Sequence, residues 1–366
     1  MHIPDGYLSP STCAALYAGA APFWWMALRR LKQTLHTRLV PRLSLFAAFS
    51  FVVMMFNIPL PGGTTGHATG VALATVVLGP AASILAVSTA LAIQAFFFGD
   101  GGITALGANC FNIAIVGSLA AFGVYRLLAG RAPIESPRRL VAAGLAGYVA
   151  INAAALVTAV QFGVQPLLFR DASGAPLYCP YPLGVAVPAM MIGHLTIAGI
   201  AELVLTAGVV AFLQRTDGSL LAAAAGRKVI PSPPGASAAV TGSLRPLWVM
   251  LGVLLVLTPL GLLAAGTAWG EWGAADFSDP AARHEMTKAS LGQAPPAAAP
   301  RGLERLSSAW SAPLPDYAPP FLRSAAVGYL LSGMFGAGLV ILAVTAIGAL
   351  ARLRGRGGPA GGTVGV

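Results

Sequence analysis

Charge is what this sequence most lacks. Of its 366 residues only 9% are charged and 12 are acidic, against 56% hydrophobic. Soluble globular chains carry roughly 25% charged residues, so a water-soluble domain is excluded and repeated crossing of a bilayer is implied. Cysteine is nearly absent as well. Cys13, Cys110 and Cys179 lie far apart with no paired spacing, which excludes a disulfide framework or a CxxC metal centre and leaves them as packing residues. No GxxxxGK[ST] stretch occurs, so the chain holds no ATPase site of that kind and any energy must come from partners. An HExxH helix and paired catalytic carboxylates in an apolar segment are also missing, which argues against a membrane metalloprotease. An ion-driven secondary transporter should show ionisable residues along a pathway. Only Glu202 qualifies, and the unequal halves contain no inverted repeat.

The charge that is present is mostly positive, a formal +10. Its Lys and Arg residues fall in short clusters between apolar runs rather than on one face of a domain, the pattern of membrane topology and not of nucleic-acid binding. Runs long enough to cross a bilayer, about 17–25 residues, lie near Tyr7 to Leu28, Leu43 to Ile58, Ala105 to Leu128, Leu140 to Leu168 and Leu183 to Leu213, with two more near Pro246 to Ala265 and Ser324 to Leu350. The densest basic loop, "RRLKQTLHTRLVPR", faces the cytoplasm by the positive-inside rule, which places the amino terminus outside. "YRLLAGRAPIESPRR" is the next basic loop, so Ala68 to Phe98 must cross an even number of times, as two short or tilted helices hinged at Gly79-Pro80. The expected fold is therefore all-α, a polytopic membrane bundle of nine crossings. Residues 1–213 form a seven-helix unit, 214–245 a flexible cytoplasmic linker rich in Gly, Pro, Ser and Ala, and 246–366 a two-helix unit enclosing a Pro/Ala-rich, partly disordered external loop at 266–323. No basic segment precedes the first apolar run, so it reads as an uncleaved helix and Met1 and His2 are expected to persist.

The chain starts "MHIPDGYLSP". A terminal amine, the amide nitrogen of residue 2 and the His2 side chain can bind one metal ion in a plane, closing a five-membered and a six-membered chelate ring. A fourth nitrogen completes a tetragonal site, and such nitrogen sets suit Ni(II) or Cu(II) better than Zn(II), Mg(II) or Ca(II). His67, in "PGGTTGHATG", falls on the same external face. A histidine at position 2 is usually incidental and a loop histidine usually solvated. The pair on one face beside a glycine-rich turn is what points to a site.

Four segments, "MHIPDGYLSP", "NIPLPGGTTGHATG", "FGDGGITALGANCFNIAIVG" and "GHLTIAGIAELVLT", resemble the signature segments of the substrate-binding subunit of energy-coupling factor nickel/cobalt transporters, the CbiM/NikM family. "TPLGLLAAGTAWGEWG" and the terminal helix resemble the small companion subunit NikN, here fused at the carboxyl end. The resemblance implies metal binding through the Met1 amine, the His2 amide and imidazole, and His67. It also implies a metal-capturing subunit of an ATP-driven importer in the cell membrane, working with a coupling transmembrane protein and two ATP-binding cassette ATPases. The cargo is nickel by the planar nitrogen set and the NikN-like fusion, with cobalt, for example for cobalamin synthesis, as the alternative. No resident cofactor and no enzymatic activity are expected.

Metal-bound histidines usually give their second ring N–H to an acceptor. Asn109 and then Gln94 are the preferred candidates, ahead of Asp100, which could simply make the "GDGG" turn, and Asn112, which could bond between helices. His194 and Glu202 share a helix face and are assigned a structural or coupling role. Ala14, Ala15, Ala18 and Gly19 form a small-residue surface suited either to internal packing or to a coupling partner. Glu271, Asp276, Asp279, His284, Glu285 and Met286 of the external loop could capture metal, although a plain solvated loop is the favoured reading.

Overall fold

The structure, a computed structural model, describes residues 1–32, 39–222 and 244–355. Nine helices build the bundle among the described residues: α1 (Pro10–Lys32), α2 (Leu39–Met54), α3 (Val71–Leu78), α4 (Pro80–Phe98), α5 (Leu106–Ala129), α6 (Pro137–Leu168), α7 (Leu183–Thr216), α8 (Arg245–Leu263) and α9 (Ala325–Gly355). Six of them, α4 to α9, are long and apolar enough to cross a membrane, and α2 is a shorter apolar helix. The protein is a multi-pass membrane protein. Its first unit is wound around α3, which packs against α4, α5 and α6 and is buried from Val71 to Val77. A helix apolar on every side has no solvent face, so a central position follows.

The break at Gly79-Pro80 lies where the sequence places it, with Pro80 opening α4 at a position where its missing N–H costs nothing. One expectation changes. At 8 residues α3 is about 12 Å long, too short to cross a hydrocarbon core of about 30 Å. The segment before it is not helical. There Ile58–Leu60 and Thr64–Gly66 form a small antiparallel hairpin, with Ile58 opposite Gly66. Pro59 and Pro61 remove backbone donors, so "IPLPGGTTG" cannot continue a helix. At the other end of the unit, α7 continues to Thr216 and a single turn follows at Ser219–Ala222. Most of the expected linker, residues 223–243, lies outside the described residues, as do residues 33–38 of the first basic loop and the chain beyond 355.

The larger correction concerns the external loop. Instead of being partly disordered it folds onto the first unit through short helices at Ala274–Phe277, Pro280–Ala289 and Arg301–Leu306. Trp269, Trp272, Phe277, Met286, Leu303 and Tyr317 are buried. Trp269 lies 5.9 Å from Phe162 and 5.5 Å from Tyr181, ring centre to ring centre. The backbones are tied as well: Gly302 N–H donates to Leu177 O (2.7 Å), Leu314 N–H to Phe97 O (3.0 Å), and the Trp310 indole N–H to Phe96 O (2.9 Å). Widely spaced aromatics in a Pro/Ala background read as low complexity, yet each finds a pocket on the partner surface. In the membrane layer α9 lies along α2, and the Tyr329 hydroxyl donates to Met55 O at 2.7 Å.

Gly6 sits where the loop closes over the chain start. Its φ is +90°, and an added Cβ would stand 2.6 Å from Leu303 Cα, whereas Gly63, with φ +84°, has nothing within 4 Å. Gly6→Ala is expected to cost about 1–3 kcal/mol and to lower the thermal unfolding midpoint in detergent more than Gly63→Ala. Equal shifts would contradict the packing of the loop against residue 6.

A candidate metal centre at the amino terminus

The first residues of the chain run inward rather than into solvent. Met1, His2 and Ile3 are 4%, 1% and 0% exposed. Hydrogen bonds explain why. Asn109 grips the Ile3 peptide from both sides, its Oδ1 accepting from Ile3 N–H (2.7 Å) and its Nδ2 donating to Ile3 O (3.1 Å), while Gly102 N–H donates to the same carbonyl (2.8 Å). The Asp5 carboxyl accepts from Ile103 N–H (3.1 Å) and Thr104 N–H (2.7 Å). Further along, the Tyr7 hydroxyl donates to Trp272 O (2.8 Å) and Ser9 N–H donates to Gln165 Oε1 (2.9 Å). Both units therefore hold the first decapeptide.

This threading brings His2 to His67, with ring centres 4.9 Å apart and planes inclined by 38°. His67 Nδ1 lies 3.0 Å from Ala68 O. A carbonyl only accepts, so Nδ1 carries the proton and Nε2 presents its lone pair. Burial pushes the His67 imidazole down to about 3, helped by His2 and the chain's amino group, so it is neutral and fit to be a ligand. The terminal ammonium donates to Glu271 Oε1 of the external loop at 2.6 Å. His2 Nδ1 pairs with Asp100 Oδ1, and His2 Nε2 is buried without a partner. Asp100 Oδ2 accepts from the Tyr317 hydroxyl (2.6 Å) and from Gln94 Nε2 (3.2 Å), which also donates to the Tyr317 oxygen (3.0 Å). Burial alone would raise the Asp100 carboxyl, but the adjacent His2 ring and the bonds from His2 and Tyr317 hold it below the usual carboxylate range. These groups border a cavity of about 370 Å³ lined by His2, Asn57, His67, Asp100, Glu271 and Tyr317 among others.

Among the described residues no group of three or more His, Cys, Asp and Glu side chains is arranged to hold a metal. A metal at this place would need main-chain nitrogens, and the terminal amine and the His2 amide are the ones at hand. The six-membered chelate ring requires His2 Nδ1, which here faces Asp100. A bound ion would thus take the amine from Glu271 and the imidazole from Asp100, and the two carboxyls would stay close enough to balance its charge.

The structure brings Met1, His2 and His67 together. It does not put Asn109 or Gln94 on an imidazole: Asn109 positions the Ile3 backbone, and Gln94 reaches the ring only through Asp100. The acceptor at His2 is Asp100, which the sequence reading ranked as a turn residue. Asn112 bonds Thr158 (3.0 Å) and Gln161 (2.8 Å) between helices, and His194 Nδ1 lies 2.8 Å from Met190 O one turn back. Of the six loop residues considered for metal capture, only Glu271 lines the cavity. Asp276 accepts from Gly273 N–H, Asp279 caps its own helix, and Met286 is buried. Glu271 and Tyr317 sit 270 and 217 residues from the groups they bond. Glu271 was among the acidic loop residues considered for metal capture, whereas for Tyr317 the only sequence signal was the fused unit itself.

Asn109→Ala is expected to release the Ile3 peptide, so deuterium exchange at the Ile3 amide accelerates by at least about tenfold, matching loss of a hydrogen bond worth about 1–1.5 kcal/mol. Unchanged protection would show that Asn109 does not anchor the chain start.

Comparison with known proteins agrees with this architecture. Residues 2–220 match the family model CbiM, described as a cobalt uptake substrate-specific transmembrane region, and residues 245–353 match the PDGLE domain. The chain is 56% identical over 358 residues to the fused nickel transport protein NikMN of Rhodobacter capsulatus, covering 98% of this chain and 100% of that one. The cobalt transport protein CbiM of Geobacter sulfurreducens is 32% identical over 283 residues, covering 75% of each chain. A crystal structure described as a truncated transition metal transporter superposes with a TM-score of 0.56 at 48% identity, covering 59% of this chain and 99% of that one.

Proposed function

Starting from a chain that belongs to the CbiM family of metal-transport components, we propose that it is the metal-capturing subunit of an energy-coupling factor importer and that its cargo is Ni(II). The ion is held by the Met1 amine, the His2 amide nitrogen and imidazole, and His67, with the ammonium and the amide each releasing a proton to water as it binds. The observation that carries this reading is the burial of Met1, His2 and His67, with His2 and His67 lining one cavity and the Met1 amine held by Glu271, which lines the same cavity. Bundle helices rarely conceal a chain terminus, because burying an ammonium is expensive unless it is paired. A coordinated ion gives that burial a use.

Planar nitrogen ligation favours Ni(II), and the relatives that share both units carry nickel in their names. Cobalt is the second reading, supported by cobalt-named relatives, one of which aligns with 75% of the chain. Positive-inside topology supports an external site, with metal captured outside the cell membrane and released inward after partner ATPases act. Ala14, Ala15 and Ala18 of α1 are exposed, a small-residue surface that suits a transmembrane coupling protein. The division into a first unit, a cytoplasmic linker and a second unit with its loop outside is part of the same proposal.

Two experiments test it. Inserting one alanine between Met1 and His2 moves the amine into a different chelate ring. Nickel affinity, with intact mass establishing the first residue of the purified chain, is expected to fall by about 100-fold or more, the upper scale on which metal sites answer changes next to their ligands. Undiminished affinity would remove the amino terminus from the site. In proteoliposomes the chain alone is expected to bind nickel without accumulating it, and uptake should appear only with the coupling protein, two ATPases and ATP. Accumulation by the chain alone under an ion gradient would replace this reading with secondary transport.

A further inference from the structure

Helix α3 begins four residues after His67, and its start is built in an unusual way. The capping residue is Gly70, in the left-handed region (φ 68°, ψ 6°), which has no side chain with which to cap the helix. Backbone N–H groups at a helix start need acceptors, and inside a bilayer no bulk water supplies them. The acceptor comes from α7. Glu202 Oε2 accepts from Thr69 N–H (2.5 Å), Gly70 N–H (3.2 Å) and the Thr69 hydroxyl (3.3 Å), and Thr69 Oγ1 in turn accepts from Val71 N–H (3.3 Å). Thr69 and Glu202 are both fully buried, and the second carboxyl oxygen, Oε1, has no partner. A cap alone would be met by a Ser or Asp at position 70. Importing a carboxyl across 133 residues, with one oxygen left unsatisfied at a cost, calls for a further reason.

That reason lies two residues upstream. His67 is bonded through Nδ1 to the carbonyl of Ala68, so the aim of its ring is tied to the backbone Glu202 holds. We propose that Glu202 is a positioning residue for His67. Its carboxyl fixes the turn at residues 67–70, and so holds the fourth nitrogen of the metal plane in place from a helix that does not touch the metal. The inference rests on the ligand set proposed above. It also makes α7, which runs on to the end of the first unit, the element whose movement would change the position of His67.

A double-mutant cycle tests the coupling, reading nickel affinity and the visible absorption band of bound nickel in the full-length purified chain. His67→Ala and Glu202→Ala are each expected to weaken nickel about 10–100-fold and to shift the band in the same way, and the double variant is expected to be no weaker than either alone, within about twofold. Glu202→Gln, whose amide oxygen still accepts from both N–H groups, should restore the parental band and affinity. If Glu202→Ala does not assemble, Glu202→Asp, which withdraws the carboxyl by one methylene, takes its place in the cycle. Additive losses, or a parental band in the Glu202 variant, overturn this inference and leave the ligand set standing. A His67→Ala protein that binds nickel like its parent overturns the ligand set, and this inference with it.

Discussion

The whole arrangement depends on a two-point hydrogen bond between the Asn109 side chain and the peptide unit of Ile3. A chain terminus has every reason to fray, since its ordering costs conformational entropy and its ammonium prefers water. Asn109 answers both the N–H and the carbonyl of one buried residue, and Gly102 adds a third bond. With Ile3 fixed, Met1 and His2 are held inside the protein, His2 in the cavity beside His67. Everything chemical about the site follows from that placement.

What surrounds the amine and the His2 ring is then a question of charge. The described structure pairs the ammonium with Glu271 and the imidazole with Asp100, and in a poorly hydrated interior such pairs count for more than on a surface. The same two carboxyls are suited to balance a divalent cation bound in their midst. Glu271 and Tyr317 both belong to the segment at 266–323, so that loop is part of the site's wall and not a tether between two helices. Fusion in one chain keeps that wall beside the first unit at all times, which raises its effective concentration without any new contact.

Much of this was legible in the sequence where local chemistry dictates the outcome. The Gly79-Pro80 break follows from what proline does to a helix, the helical membrane fold from low charge and long apolar runs, and the meeting of His2 with His67 from topology and resemblance. Where the outcome depends on distant packing, the sequence was silent. The eight-residue length of α3 could not be seen in a continuous apolar run, because "HATGVALATVVL" carries no mark for where extended backbone becomes helix. The fold of the external loop was hidden by its Pro/Ala background, although Trp269, Trp272 and Phe277 were in plain view. Asp100 looked like a turn residue because it is one. Nothing local distinguishes an aspartate that only turns the chain from one that also meets an imidazole 98 residues away.

The most direct measurement is X-ray absorption at the nickel edge on the loaded, full-length protein. The account expects a four-coordinate, all-nitrogen shell with the edge feature of a planar ion and outer-shell scattering from two imidazole rings. A six-coordinate, oxygen-rich shell, or scattering from fewer than two rings, would contradict it.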